Sequence, residues 1–355
     1  MSRLAALALL LLALIAVPVA AQDKMSVGLP TVPTLIYAPQ YLALSQGLFA
    51  EEGIEVEYVI FDGTATVVPQ VAQRRITTAW INPDMLIISA QPGRDKLPLR
   101  CFYNGLRVTA WEFVVLEDSP IRILADLKGA NVGMLSMAVG NVPITRALLR
   151  ELGMEPGRDY QMVPVGQGAP AFRALITGQI DVLNLFDGQH VTLENNGTRI
   201  RRLAQPAKYA NQFNNCWVAH DRTIAEQAEL LAGFGRAFAK ASIACRANLD
   251  YCVKSFWRHF PAQKPTEVSE QEALAAGVRV VQARIERLFA FADGADKRLG
   301  GYDRQGWVDF IAMLHAGGQI ASDQIAPDAL YTNDLVPAFN DFDQDAFAAL
   351  AKSWQ

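Results

Sequence analysis

The stretch Leu35-Ile36-Tyr37-Ala38-Pro39-Gln40-Tyr41-Leu42-Ala43-Leu44-Ser45-Gln46-Gly47, followed closely by Ile54-Glu55-Val56-Glu57-Tyr58-Val59-Ile60-Phe61, decides the fold class. In its first half Leu35, Ala38, Leu42 and Leu44-Ser45 recur at helical spacing, and Gly47 stops the run. In its second half Ile54, Val56, Tyr58 and Ile60 alternate with Glu55, Glu57 and Val59, the two-residue period of a strand. Upstream, residues 25–29 read as a short apolar strand. Downstream, Asp62-Gly63-Thr64 carries turn and helix-capping chemistry. The pattern then continues as a helix over 67–75, a strand over 77–81 ending at Asn82-Pro83-Asp84, and a helix over 85–91. Pro92-Gly93 stops that helix, and a strand follows over 97–103. Strands and helices alternating through short turns predict parallel βαβ units in an α/β fold.

The alternation restarts after a long strand at 112–116. Strands follow at 131–135, 160–165 and 181–186, with helices at 142–152 and 171–177, and a second long strand occupies 215–220. From there the chain is almost wholly helical, over 224–247, 251–260, 271–292 and 304–316. The two long strands flank the second unit, so they are expected to be crossings between two hinged lobes. Lobe one would be residues 25–115 with 218–355, and lobe two residues 116–217. The helical tail is expected to pack on lobe one. Ligands of such units sit beyond the carboxyl ends of the strands, at helix N-termini.

The 355-residue chain is 51% hydrophobic and 19% charged, which excludes a disordered chain. With 32 Lys+Arg against 36 Asp+Glu, its formal charge of −4 argues against a nucleic-acid or anionic-membrane surface. Met1-Ser2-Arg3, an apolar run over 4–17, Pro18 and Val19-Ala20-Ala21 follow the order of a secretory signal peptide. The run is shorter than the roughly 20 apolar residues of a membrane span. Residues 1–21 are therefore expected to be removed after Ala21, leaving a soluble periplasmic protein. Four cysteines are too few for a disulfide scaffold. Cys245 and Cys252 would stand about 10 Å apart on an unbroken helix, too far to bridge. A break near Asn248 would shorten that distance and make a pair possible, and the sequence leaves the pairing open. Cys101 and Cys216 fall on predicted strands and read as buried residues.

Several of these stretches resemble one family in order along nearly the whole mature chain. They are Tyr37-Ala38-Pro39-Gln40-Tyr41-Leu42-Ala43, then Gly47-Leu48-Phe49-Ala50-Glu51-Glu52-Gly53, then Asp126-Leu127-Lys128-Gly129-Ala130-Asn131-Val132-Gly133. Ala147-Leu148-Leu149-Arg150-Glu151-Leu152-Gly153, Ala174-Leu175-Ile176-Thr177-Gly178-Gln179-Ile180-Asp181-Val182 and Leu330-Tyr331-Thr332-Asn333-Asp334 continue it. The chain resembles the periplasmic binding proteins for nitrate, alkanesulfonates and thiamine pyrimidines. The resemblance implies a two-lobed, type II periplasmic-binding-protein-like fold with two hinge crossings. It also implies a solute-binding function, an ABC permease of the inner membrane as partner, no catalysis and no cofactor. A monomer is expected. Two rivals are weighed beside this. An enzyme resembling thiamine-pyrimidine synthase would need a cysteine-rich iron-binding motif, which is missing. A sensory module reporting to a membrane receptor has the same sequence signature as an uptake protein.

Gly-x-x-x-x-Gly-Lys-Ser/Thr, His-Glu-x-x-His, Gly-x-Ser-x-Gly and Cys-x-x-Cys are all absent. The four histidines show no metal-ligand spacing, and no metal is expected. The strand-end turns are the candidate site. They offer Thr34, Thr64, Asn82, Ser136 and Gln167 as donors or acceptors, and Tyr37, Tyr103 and Phe186 as stacking surfaces. The resemblance places Tyr37 where thiamine-pyrimidine binders carry a polar aromatic, often histidine. Asp62, Asp84 and Asp187 are acidic, and these turns hold no Lys or Arg. That pairing of aromatics with Asp84 and Asp187 predicts a flat, neutral or amine-bearing ligand. The alternative is a small anion (sulfonate, nitrate or aromatic carboxylate) held by the bare helix terminus after Ser136, with Arg107 swinging in.

Overall fold

The computed structural model describes residues 22–355, so the expected signal segment 1–21 lies outside the described residues. The strands, in chain order, are β1 (Asp23–Leu29), β2 (Ile54–Ile60), β3 (Thr78–Ile81), β4 (Leu99–Asn104), β5 (Trp111–Leu116), β6 (Asn131–Met134), β7 (Gln161–Pro164), β8 (Val182–Phe186), β9 (Ile200–Leu203) and β10 (Cys216–His220). They form two five-stranded sheets, ordered β2-β1-β3-β10-β4 and β7-β6-β8-β5-β9. The periods read from sequence explain the inner strands. Met25, Val27 and Leu29 of β1 are buried, and β2 lies parallel beside it from Asp23↔Ile54 to Leu29↔Ile60.

Both sheets are mixed rather than wholly parallel. β10 runs antiparallel to β3 and β4, and β5 runs antiparallel to β8 and β9. The long strands expected to cross between units are thus ordinary sheet members. β5 pairs only within the second sheet and β10 only within the first, so residues 111–115, expected in lobe one, go with the second sheet, and Cys216 and Trp217, expected in lobe two, go with the first. The chain passes between sheets at residues 105–110 and 204–215 instead. Period-two alternation reports that a strand is paired and half-covered; it carries no information on which sheet supplies the pairing.

The tail straddles both units. The helices Ala228–Ala247 and Leu249–His259 pack on Ala38–Ser45 of the first unit. Glu270–Leu288 packs on Asp187–Asn195, and Arg304–Ala316 packs on Asn141–Glu151, both in the second unit. The long helix expected over 224–247 is two, Asp221–Glu226 and Ala228–Ala247, parted at Gln227. Ser269 starts Glu270–Leu288 with a capping box, its hydroxyl accepting from the Glu272 N–H while Glu272 accepts from the Ser269 N–H. Asn248 ends Ala228–Ala247 and caps Leu249–His259 by accepting from the Tyr251 N–H at 3.0 Å. That break brings the Cα atoms of Cys245 and Cys252 to 5.0 Å, and the two form a disulfide. Cys101 and Cys216 are also paired, across neighbouring strands β4 and β10, with Cα atoms 5.8 Å apart. The reading of these two as simply buried missed the bond because strand order is not visible in sequence. Among the described residues no helix is long and apolar enough to cross a membrane.

Candidate functional site

β1, β3, β6 and β8 point their carboxyl ends toward a common seam, and the starts of β5 and β10 meet them there because those strands run the other way. A cavity of about 30 Å³ lies in the seam. The first sheet supplies Thr31, Tyr37, Thr64, Trp80, Asn82 and Asn215, and the second supplies Trp111, Val139, Gly140 and Phe186. Arg284 enters from the tail helix Glu270–Leu288. Trp111 and Phe186 meet edge to face at 5.7 Å between ring centroids. The Tyr37 hydroxyl is bonded to Thr31 Oγ1 at 2.8 Å, and burial raises its pKa to about 12 against the opposing pull of Thr31 and Arg284. Asn215 Nδ2 donates to Asn82 Oδ1 at 3.1 Å, while Asn82 Nδ2 is buried without an acceptor. The result is an aromatic-walled slot with an amide edge, suited to a flat polar ring.

An ionic network fixes one side of the slot. Arg284 Nη2 donates to Asp187 Oδ1 at 2.5 Å, and Asp187 Oδ1 also accepts from the Gly188 N–H at 2.7 Å. Arg287 lies 3.4 Å from Asp187 Oδ2 and donates to Glu112. Glu112 further bonds His190 at 2.9 Å and Arg202 at 3.1 Å. Burial pushes the Glu112 carboxyl up, but the His190 bond and the charges of His190, Arg287 and Arg202 outweigh it and hold it at about 2.

The seam closes through small residues. Ala65 N–H donates to Ala138 O at 3.1 Å, joining the two units by backbone. A Cβ on Gly63 would stand 2.6 Å from that same oxygen, and Gly63 also needs its φ of +89°. Gly140 sits over Asn82 and Asp84 so closely that a Cβ there would stand 2.3 Å from the Asn82 Cβ.

Of the residues picked from sequence, Tyr37, Thr64, Asn82 and Phe186 line the cavity. Asp84 lies just behind, fully buried beside Gly140, with neither carboxylate oxygen partnered. The others are elsewhere. Thr34 begins the short turn Leu35–Tyr37 and does not line the cavity; Thr31 of the same loop does. Ser136 accepts from the Ala138 N–H at 3.2 Å, which is local turn chemistry. Gln167 reaches Val32 O at 3.4 Å, a contact between units rather than with the cavity. Tyr103 is a core residue: it lies on the edge strand β4, its ring packs against Phe238 at 5.3 Å and Phe339 at 5.0 Å, and it does not line the cavity. Asp187 starts the helix Asp187–Asn195 and does not line the cavity; its Oδ1 is engaged by Arg284, while Oδ2 is buried without a hydrogen-bond partner. Arg107 does not swing in; it donates to Gly301 O and Arg298 O.

Sequence reasoning missed Trp80, Trp111, Asn215 and Arg284. Trp111 opens β5 and Asn215 immediately precedes β10; both strands run antiparallel to their neighbours, so their starts, not their ends, reach the seam. Arg284 lies in mid-helix on the tail, and no local signal marks it.

A family profile described as "NMT1/THI5 like" matches residues 36–250. The formylaminopyrimidine-binding protein of Halalkalibacterium halodurans is 22% identical over 315 residues, 87% of this chain and 90% of that protein. The riboflavin-binding protein RibY of Chloroflexus aurantiacus is 22% identical over 324 residues, 89% of this chain and 86% of that protein. Among solved structures, the alkanesulfonate-binding protein SsuA of Xanthomonas axonopodis pv. citri has a TM-score of 0.65 at 14% identity, covering 88% of this chain and 100% of that one. The desulfurization enzyme DSZB shares the fold at a TM-score of 0.55 and 16% identity, over 90% and 99% of the two chains. The match spans more than half of the sequence, and with the two-sheet architecture it establishes that this chain belongs to the NMT1/THI5-like family, folded as periplasmic binding proteins are.

Proposed function

We propose that the chain is an exported solute-binding protein that holds a small, flat organic solute between its two units and delivers it to an ABC importer. The units are the two sheets with their helices, joined by residues 105–110 and 204–215. The observation that carries the reading is the cavity wall, where Tyr37, Trp80, Trp111 and Phe186 converge from both sheets beside the amides of Asn82 and Asn215. Stacking rewards a planar ring, and the amides read its edge. A cavity of about 30 Å³ is far below the hundreds of Å³ of ordinary ligand sites, so a ring enters only as the units part. Ligand then favours the closed arrangement by population shift, and the permease reads that arrangement. The lining contains no His, Cys, Asp, Glu or Lys, which favours capture over chemistry. Asp187 is not in the cavity lining and its Oδ1 is taken by Arg284, so an amine on the ring would find only Oδ2 of that carboxylate without a hydrogen-bond partner.

A second reading, a small ringless anion such as a sulfonate or nitrate, is favoured by Arg284, which lines the cavity with its Nε unpartnered. A thermal-shift screen separates the two. Pyrimidines and flavins should raise the unfolding midpoint, since a ligand that binds only the native state stabilises it. A response confined to methanesulfonate or nitrate would refute the flat-ring reading.

A further inference from the structure

Arg284 reaches the cavity from outside both sheets, on the helix Glu270–Leu288. It is 4% exposed and is the charged residue of the lining. A guanidinium carries five N–H donors in a rigid fork. Nη2 engages Asp187, and Nε is buried with no acceptor. Its Cζ stands 5.9 Å from the Phe186 ring centroid, so the fork borders the stacking surface. A buried, unpartnered donor on a charged group is costly, and an oxygen acceptor placed against it removes that cost.

We infer that Arg284 is the specificity-determining residue of the site, selecting planar rings that carry an oxygen acceptor, a carbonyl or carboxylate oxygen, and rejecting rings whose only polar substituent is an amine. Asp187 acts as its positioning residue, holding the fork by one oxygen that is itself fixed by the Gly188 N–H. Because Asp187 balances the charge of Arg284, a neutral carbonyl is accepted as well as a carboxylate. A ring amine would turn its own N–H donors toward the donors of the guanidinium, with Asp187 Oδ1 already engaged. The inference rests on the flat-ring reading above and specifies its chemistry.

The test is calorimetry of the mature chain with three probes: uracil, orotate and 2-aminopyrimidine. The wild type should bind uracil and orotate more tightly than 2-aminopyrimidine. Arg284→Gln should weaken uracil and orotate by about 10- to 100-fold and leave 2-aminopyrimidine unweakened. Asp187→Asn keeps a hydrogen-bond acceptor but removes the balancing charge, so orotate should tighten relative to uracil; a merely structural role would move both alike. Where Arg284→Gln alone fails to fold, Asp187→Asn with Arg284→Gln preserves a neutral, hydrogen-bonded pair and makes the same prediction for uracil and orotate. If the rings bind but Arg284→Gln weakens all three equally, or none, the inference falls while the flat-ring reading stands. If none of the three probes binds the wild type, the inference falls, and the flat-ring reading falls with it when the thermal-shift screen responds only to methanesulfonate or nitrate.

Discussion

Replacing Gly140 by alanine should hold the two units apart. The residue has φ −68°, so alanine adopts its backbone without strain and the perturbation is steric alone. The new methyl would stand 2.3 Å from Asn82 Cβ and 2.9 Å from both Asn82 Cγ and Asp84 Oδ1. Asn82 cannot swing clear, being buried and tied to Asn215 at 3.1 Å. Overpacking of this kind costs about 1–3 kcal/mol. The contact lies between units, so the strain is relieved by opening rather than by unfolding either sheet. The closed fraction then falls, and apparent affinity falls with it by about 5- to 150-fold. Calorimetry on wild type and Gly140→Ala, with the best ligand from the screen, measures this. A thermal melt without ligand checks that the fold persists. Wild-type affinity in a folded Gly140→Ala protein would refute the reasoning that residues 138–140 close the site.

Burial holds the Asp84 carboxyl well above the usual carboxylate range. The folded state therefore keeps its proton longer than the unfolded one, and wild-type stability should fall as pH rises through that raised pKa, whereas Asp84→Asn should not show this loss. Parallel melting curves across pH would contradict it. Glu112 behaves oppositely: from an ordinary 4.5 it is held at about 2, so its contribution is complete above 4.5 and is lost as pH falls toward 2. Glu112→Gln should cost about 3 kcal/mol at neutral pH, read by denaturant unfolding; a loss that persists unchanged at pH 2 would be wrong for this account. The Cys101–Cys216 bond spans a sequence separation of 115 and Cys245–Cys252 one of 7. On loop entropy, removing the first should destabilise by about 5 kcal/mol and the second by about 2.5 kcal/mol. Equal losses from the two Cys→Ala pairs would show that loop length is not the controlling factor.

The α/β class was legible because Gly and Pro punctuate strong periodic runs; the helix Arg304–Ala316 was read to the residue. The helix Asp187–Asn195 has no counterpart in the sequence reading, which takes its first residues as a strand-end turn, since Gly188 and the polar run after it show little apolar face. Strand order divided the site. Tyr37, Asn82 and Phe186 follow strand or loop ends that open on the seam, while Tyr103 lies on the edge strand β4, beyond β10, and packs into the core against Phe238 and Phe339. Arg284 was out of reach of any local reading. It enters the cavity only because the tail helix lies across the second unit, a consequence of tertiary packing and not of spacing.

The central claim is that solute binds in the seam between the two sheets. A crystal structure of the mature chain with the tightest ring compound from the screen tests it most directly. The account predicts the ring between Tyr37, Trp80, Trp111 and Phe186, with an edge within hydrogen-bond distance of Asn82 or Asn215. Density for the compound elsewhere, such as the surface groove beside Arg107 and Phe213, with the seam unchanged, would contradict it.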